Sequence, residues 1–197
     1  MKKIIICFTF FLFFSNSLLS YSSNPRDFIN ELVSDAITKL GDKNLSSDQK
    51  VEFITKITLE NVDINALSLY TLGELRKSAN ENDLSNYSKS FEKYFLKSLT
   101  SRLSDYSKSK FEIIGEDKKS SNYTIINSKI TPKNGDPEIK IDWRVYTKNP
   151  NKPLIRDLIV EGLSLARTQK EEFASILSSN NNDINILITK LEEFVNN

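Results

Sequence analysis

Asp157 and Glu161 stand four residues apart in PLIRDLIVEGLSLARTQKEEFASIL, the stretch from Pro153 to Leu177, and both sit among apolar residues. A carboxylate in such a setting is costly unless it is paired or hydrogen-bonded. Two carboxylates also suggest acid–base chemistry. On one strand, however, a four-residue spacing separates them by roughly 13 Å, since each residue rises about 3.3 Å. That is wider than either retaining or inverting glycosidases use. The other paired carboxylates, Glu171-Glu172 and Glu192-Glu193, fall in charged helical contexts and read as solvated faces. The chain contains no histidine, and its one cysteine is Cys7. Nucleophilic catalysis with an imidazole base is therefore excluded. The usual His and Cys ligands of zinc and copper are missing too. DKNLSSDQKVEF begins like a calcium loop with Asp42, Asn44 and Ser46. It has Ser47 where glycine is required and Phe53 where a glutamate should close the loop. The five glycines form no phosphate-binding loop. The residues thus predict a protein with no catalytic set, no metal and no cofactor.

The first residues, MKKIIICFTFFLFFSNSLLSYSS, place two lysines before an apolar run from Ile4 to Phe14, followed by small residues. This is the order of an export signal, and the run is well short of the roughly 20 residues that span a bilayer. Ser20 and Ser22 fit the small-x-small rule and predict a signal peptide over residues 1–22, with Ser15 and Ser17 as the alternative. Cys7 leaves with the signal, so the expected mature chain, 23–197, has no cysteine and depends on its apolar core alone. Without Lys2 and Lys3 the 27 basic residues become 25 against 26 acidic ones, a net charge near −1. That balance points to neither nucleic acid nor an electrostatic membrane anchor. The length suits a single soluble domain.

The elements that must position Asp157 and Glu161 follow from periodicity. Asn24-Pro25 opens a helix whose apolar residues, Phe28, Leu32, Val33, Ile37 and Leu40, recur at helical spacing up to Gly41. Ser46 and Gln49 form a capping box for a second helix. A short helix carries ALSLYTLG, and a long one from Leu84 to about Tyr106 carries Tyr87, Phe91, Tyr94, Phe95, Leu99, Leu103 and Tyr106 as one stripe. The period then falls to two in KFEIIGED, NYTIINSKITPK and EIKIDWRVYTKN, whose Ile139, Ile141, Trp143 and Val145 share a face, with PLIRDLIVEG as a fourth strand. Thr168 and Glu171 read as a capping box for the next helix, and Asp183 caps the last. Helices, then a strand meander, then helices predict an α+β domain. It would be an antiparallel four-stranded sheet with helices on one face and an apolar cavity between the two layers.

In this order the motifs resemble the MlaC family, also called toluene-tolerance proteins, periplasmic phospholipid carriers of Gram-negative bacteria. The resemblance rests on LSLYTLGELRKSA, YSKSFEKYFLKSLTSRLSDYS, IKIDWRVYTKN, IRDLIVEGLSLARTQKEEFASIL and DINILITKLEEF. It runs from Pro25 to Phe194. It implies a carrier, without covalent chemistry, that takes phospholipid acyl chains between sheet and helices. Its implied partners are an outer-membrane lipoprotein complex and an inner-membrane ABC transporter with an MCE-domain protein. The expected cavity lining is Leu72, Leu103, Tyr106, Trp143, Val145, Val160 and Leu163. Asp157 and Glu161 are expected to be structural, paired with Arg156, Arg144 or backbone donors, with headgroup binding by Glu161 as the alternative. A different class, an adaptor or chaperone-like module binding protein through the same groove, fits the residues as well.

Overall fold

The computed structural model describes residues 21–101, 109–133 and 135–197. Four helices come first: α1 (Pro25–Gly41), α2 (Ser47–Asn61), α3 (Ile64–Thr71) and α4 (Glu81–Thr100), with a 3-10 turn at Gly73–Lys77 between the last two. The strands follow: β1 (Lys110–Ser120), β2 (Tyr123–Thr131), β3 (Ile139–Tyr146), β4 (Leu154–Val160) and β5 (Leu163–Ser164). Helices α5 (Leu165–Ser178) and α6 (Ile184–Asn196) complete the chain. The strands form one antiparallel sheet in sequential order, β1-β2-β3-β4-β5.

The helix starts are set locally. The Asn24 side chain accepts from the amides of Arg26 and Asp27, with Pro25 at the first helical position. Ser46 and Gln49 make the reciprocal capping box expected of them. Asp42 serves the backbone as well: its carboxylate accepts from the Asn44 amide at 2.8 Å, which accounts for the calcium-like spacing. Asp183 caps α6 through the Asn185 amide.

Three expectations need correcting. The sheet has a fifth strand, because the two residues after the Glu161-Gly162 turn fold back on β4 and pair Ile159 with Ser164 and Val160 with Leu163. Helix α5 begins at Leu165, one turn before the Thr168–Glu171 box, because Ser164 caps it by accepting from the Arg167 amide. The helices are also not confined to one face. Asp157 lies across from Arg144 and so shares a face with Ile125, opposite Trp143 and Ile126, and it is Asp157 that receives the first turn of α5.

Two packed cores result. In one, α1 and α2 bring Phe28, Ile29, Ile54 and Ile57 against Ile126, Val145 and Ile155 of the sheet. In the other, α3, α4, α5 and α6 pack around Phe173, which meets Tyr87 and Phe91 edge-on with centroids 6.4 and 6.3 Å apart. Tyr87 is fully buried, and its hydroxyl lies 2.8 Å from Thr71 Oγ1, so the buried polar tip is satisfied. Phe173 is the hub of this second core. Phe173→Ala should cost about 3–5 kcal/mol through lost burial and the cavity left behind. A urea or thermal melt of the purified protein checks it.

Candidate functional site

The cross-strand register assembles an apolar face on the side of the sheet that meets α1. One row runs Ile113, Ser128, Ile141, Val160, Leu163; a neighbouring row runs Ile126, Trp143, Leu158. From Ser128 onward exposure rises along the first row. Ser128 is fully buried, Ile141 and Val160 are half-buried, and Leu163 is 68 % exposed. Ile139, Trp143 and Leu158 are half-buried as well. Trp143 donates its indole N–H to Ser128 Oγ at 2.8 Å, and Ser128 in turn donates to the Ile141 carbonyl at 2.9 Å. The polar end of the indole is thereby satisfied inside the sheet and its ring is left as apolar surface, with Phe111 edge-on at 6.3 Å. Phe111 and Ile113 also line a depression of about 360 Å³ between α1 and β1, together with Arg26, Asp27, Asn30 and Glu112.

The carboxylates serve the backbone. Asp157 is 5 % exposed and gathers two donors and a cation: Ser164 Oγ at 2.6 Å, the Ala166 amide at 3.0 Å, and the Arg144 guanidinium in an ion pair at 3.3 Å. Arg144 and a backbone donor are the expected partners. Arg156 is not, because it occupies the extra position of a bulge between the Arg144–Asp157 and Val145–Ile155 pairs. Turned aside there, it binds Asp63 at 2.8 and 2.9 Å and stacks on Tyr146 at 3.5 Å from the ring centre. Glu161 is exposed. Its carboxylate accepts from the Lys140 amide at 2.5 Å while its own amide donates to the Lys140 carbonyl at 3.0 Å. Glu161 and Gly162 have φ of 50° and 82°, the two left-handed residues of a tight hairpin turn. Glycine is the natural occupant of the second.

The sequence matches the MlaC protein family over residues 30–193. The chain belongs to the MlaC family. A solved structure similar to it is that of a phospholipid-binding protein from Ralstonia solanacearum in complex with a phospholipid. The TM-score is 0.70 and the identity 18 %, covering 85 % of this chain and 94 % of that one. At that identity the likeness speaks for a shared fold. No curated protein matches the sequence.

Of the residues expected to line a cavity in this MlaC-family chain, the sheet brings together Trp143, Val160 and Leu163 on the half-buried face. Val145 lies on the same side, but with no exposure, inside the packed core under α1 and α2. Leu72 belongs to the other core, among α3 to α6, and is not brought to this face. Leu103 and Tyr106 lie outside the described residues. Ile139 and Ile141, which the sequence puts on one face with Trp143, and Leu158 were left out of the expected lining. Two-residue alternation was the signal for all three: the isoleucines alternate with Trp143, and Leu158 stands two residues before Val160, beyond the Arg156 bulge.

The two carboxylates should respond differently to neutralisation. Asp157→Ala strands the Arg144 charge and the Ala166 amide and should cost about 2–3 kcal/mol. Glu161→Gln keeps an acceptor for the Lys140 amide and should stay within about 0.5 kcal/mol of the parent. Paired thermal melts of the two variants check the contrast.

Proposed function

We propose that this protein is an exported phospholipid carrier that seats acyl chains against the half-buried face of β3 and β4. The observation that carries this reading is the graded exposure of one cross-sheet row, from buried Ser128 through half-buried Ile141 and Val160 to exposed Leu163. Apolar surface left incompletely covered in this way invites an apolar occupant. Membership of the MlaC family and the phospholipid bound by the Ralstonia protein of similar fold support phospholipid as that occupant. Each methylene removed from water contributes about 0.8 kcal/mol, so a protein-borne apolar face can compete with a bilayer for a lipid chain. The headgroup remains in water at the rim, beside Leu163. No bond is made or broken, so the protein acts without catalysis.

In full, the reading is a periplasmic shuttle whose signal peptide has been removed. It exchanges phospholipid between an outer-membrane lipoprotein complex and an inner-membrane ABC transporter with an MCE-domain protein, and so maintains the lipid asymmetry of the outer membrane.

The test compares three tryptophan variants. Val160→Trp and Ile141→Trp place bulk on the half-buried face. A ring that displaces two methylenes of lipid costs about 1.6 kcal/mol, more than roughly tenfold in affinity. Co-purified phospholipid, measured by chromatography of an organic extract, should fall accordingly while the melting temperature of the delipidated protein holds. Val145→Trp overpacks a closed core and should instead lose about 1–3 kcal/mol of stability. A parent that never carries lipid, with all three variants unfolding alike, would make the face ordinary core. It would then favour an adaptor or chaperone-like role toward protein partners.

A further inference from the structure

We propose that the mature protein retains Tyr21 and Ser22, and that its export signal is cut between Ser17 and Leu18. This rests on the exported reading above. The argument begins with what Tyr21 does in the fold. Its ring packs edge-on against Phe28, centroids 6.3 Å apart, and Phe28 is 1 % exposed at the centre of the α1–sheet core. Its hydroxyl donates to Asp35 Oδ2 at 3.2 Å, two turns further along α1. Burial, reinforced by the carboxylates of Asp35, Glu60 and Glu31, holds the phenol well above its ordinary pKa, so it remains a neutral donor. Ser22 continues the attachment. Its amide donates to Glu31 Oε2 at 2.7 Å, and its hydroxyl accepts from the amide of Asn24, the residue that caps α1.

These contacts form a staple at the start of the helix. Phe28 is the fourth residue of α1, the position that the residue just before the cap packs against in a hydrophobic staple; here Ser23 stands before the cap, and Tyr21, two residues further back, takes the place. A cut after Ser22 would remove both Tyr21 and Ser22. It would expose the face of Phe28 that Tyr21 covers and leave Glu31 and Asp35 without these donors. Residues that an export signal discards have no reason to fit the folded domain this closely.

The choice of bond then follows from peptidase chemistry. The enzyme needs small residues at the first and third positions before the cut. Upstream of Tyr21, Ser20 has Leu18 at the third position and fails, whereas Ser17 has Ser15 there and satisfies both. Ser17 also follows the apolar run that ends at Phe14 by the short polar stretch such signals carry.

Intact-mass measurement of the protein from the periplasmic fraction, with peptide mapping of its first residues, tests the assignment. The expected mature chain begins at Leu18 and is heavier by Leu18 to Ser22 than one beginning at Ser23. A start at Tyr21 would keep the staple but overturn the assignment to Ser17. A start at Ser23 would overturn the whole proposal. A full-length, unprocessed chain would overturn this and the exported reading together, which separates the two failures. Tyr21→Ala provides the second measurement, after its own mass has shown the same start. It should lower the melting temperature by about 3–6 °C, as loss of a half-buried aromatic does in a domain of this size. Tyr21→Phe, which keeps the ring and loses only the hydrogen bond to Asp35, should recover most of that shift. An unchanged melting temperature in Tyr21→Ala would mean that the residue is not part of the mature fold.

Discussion

The Asp157 carboxylate is the constraint on which the rest of the architecture depends. Its side chain is 3 % exposed, and an ion so far from water must recover several kcal/mol of lost hydration from local partners. Those partners come from three places: Arg144 on β3, Ser164 at the end of β5, and the backbone of Ala166 in the first turn of α5. None is adjacent in the chain to Asp157, so the carboxylate is satisfied only when sheet, hairpin and helix have all come together. Being held at the helix N-terminus adds a favourable contact with the positive end of the helix dipole. The next residue back, Arg156, does for α3 what Asp157 does for α5, reaching Asp63 across a bulge. Two adjacent residues of β4 therefore fasten the sheet to the second core in two directions.

That fastening leaves the sheet unevenly covered. Where α1 and α2 lie across it, Ile126 and Val145 have no exposure, and the packing is that of an ordinary core. Further along the same face, Ile139, Ile141, Leu158 and Val160 are half-buried. The hydrophobic effect is non-directional and scales with apolar area removed from water, so this face gains from any apolar cover, whether protein or lipid. A lipid chain suits it better than a fixed side chain if the cover has to leave again. On the proposed reading, holding and releasing a lipid needs area and an opening, and no proton transfer.

Much of this was legible in the residues themselves. The alternation of Ile139, Ile141, Trp143 and Val145 placed them on one side of a strand, and the register agrees. The caps at Asn24, Ser46 and Asp183 were readable because each is an exchange between a side chain and an amide two or three residues away. The opposite case is Thr168–Glu171. It has the composition of a helix start, yet Ser164 takes the role, because the β5 hairpin delivers the chain to Asp157 one turn earlier. Glu161 was expected beside apolar residues in a core. It lies in an exposed turn, where a left-handed backbone carries it away from the strand face.

The sequence by itself determined the class of the fold, the order of its elements, the absence of imidazole chemistry, and the MlaC resemblance. All of these depend on composition or on spacings of a few residues. Only the tertiary structure decided that Arg156 belongs to Asp63, 93 residues away, and that Asp157 accepts the Ala166 amide in the first turn of α5. It alone placed Val145 in a closed core while Val160, on the same side of the sheet, is half open. Periodicity tells which way a side chain points relative to its neighbours. Whether anything lies opposite it depends on how distant segments pack, and no local pattern carries that information.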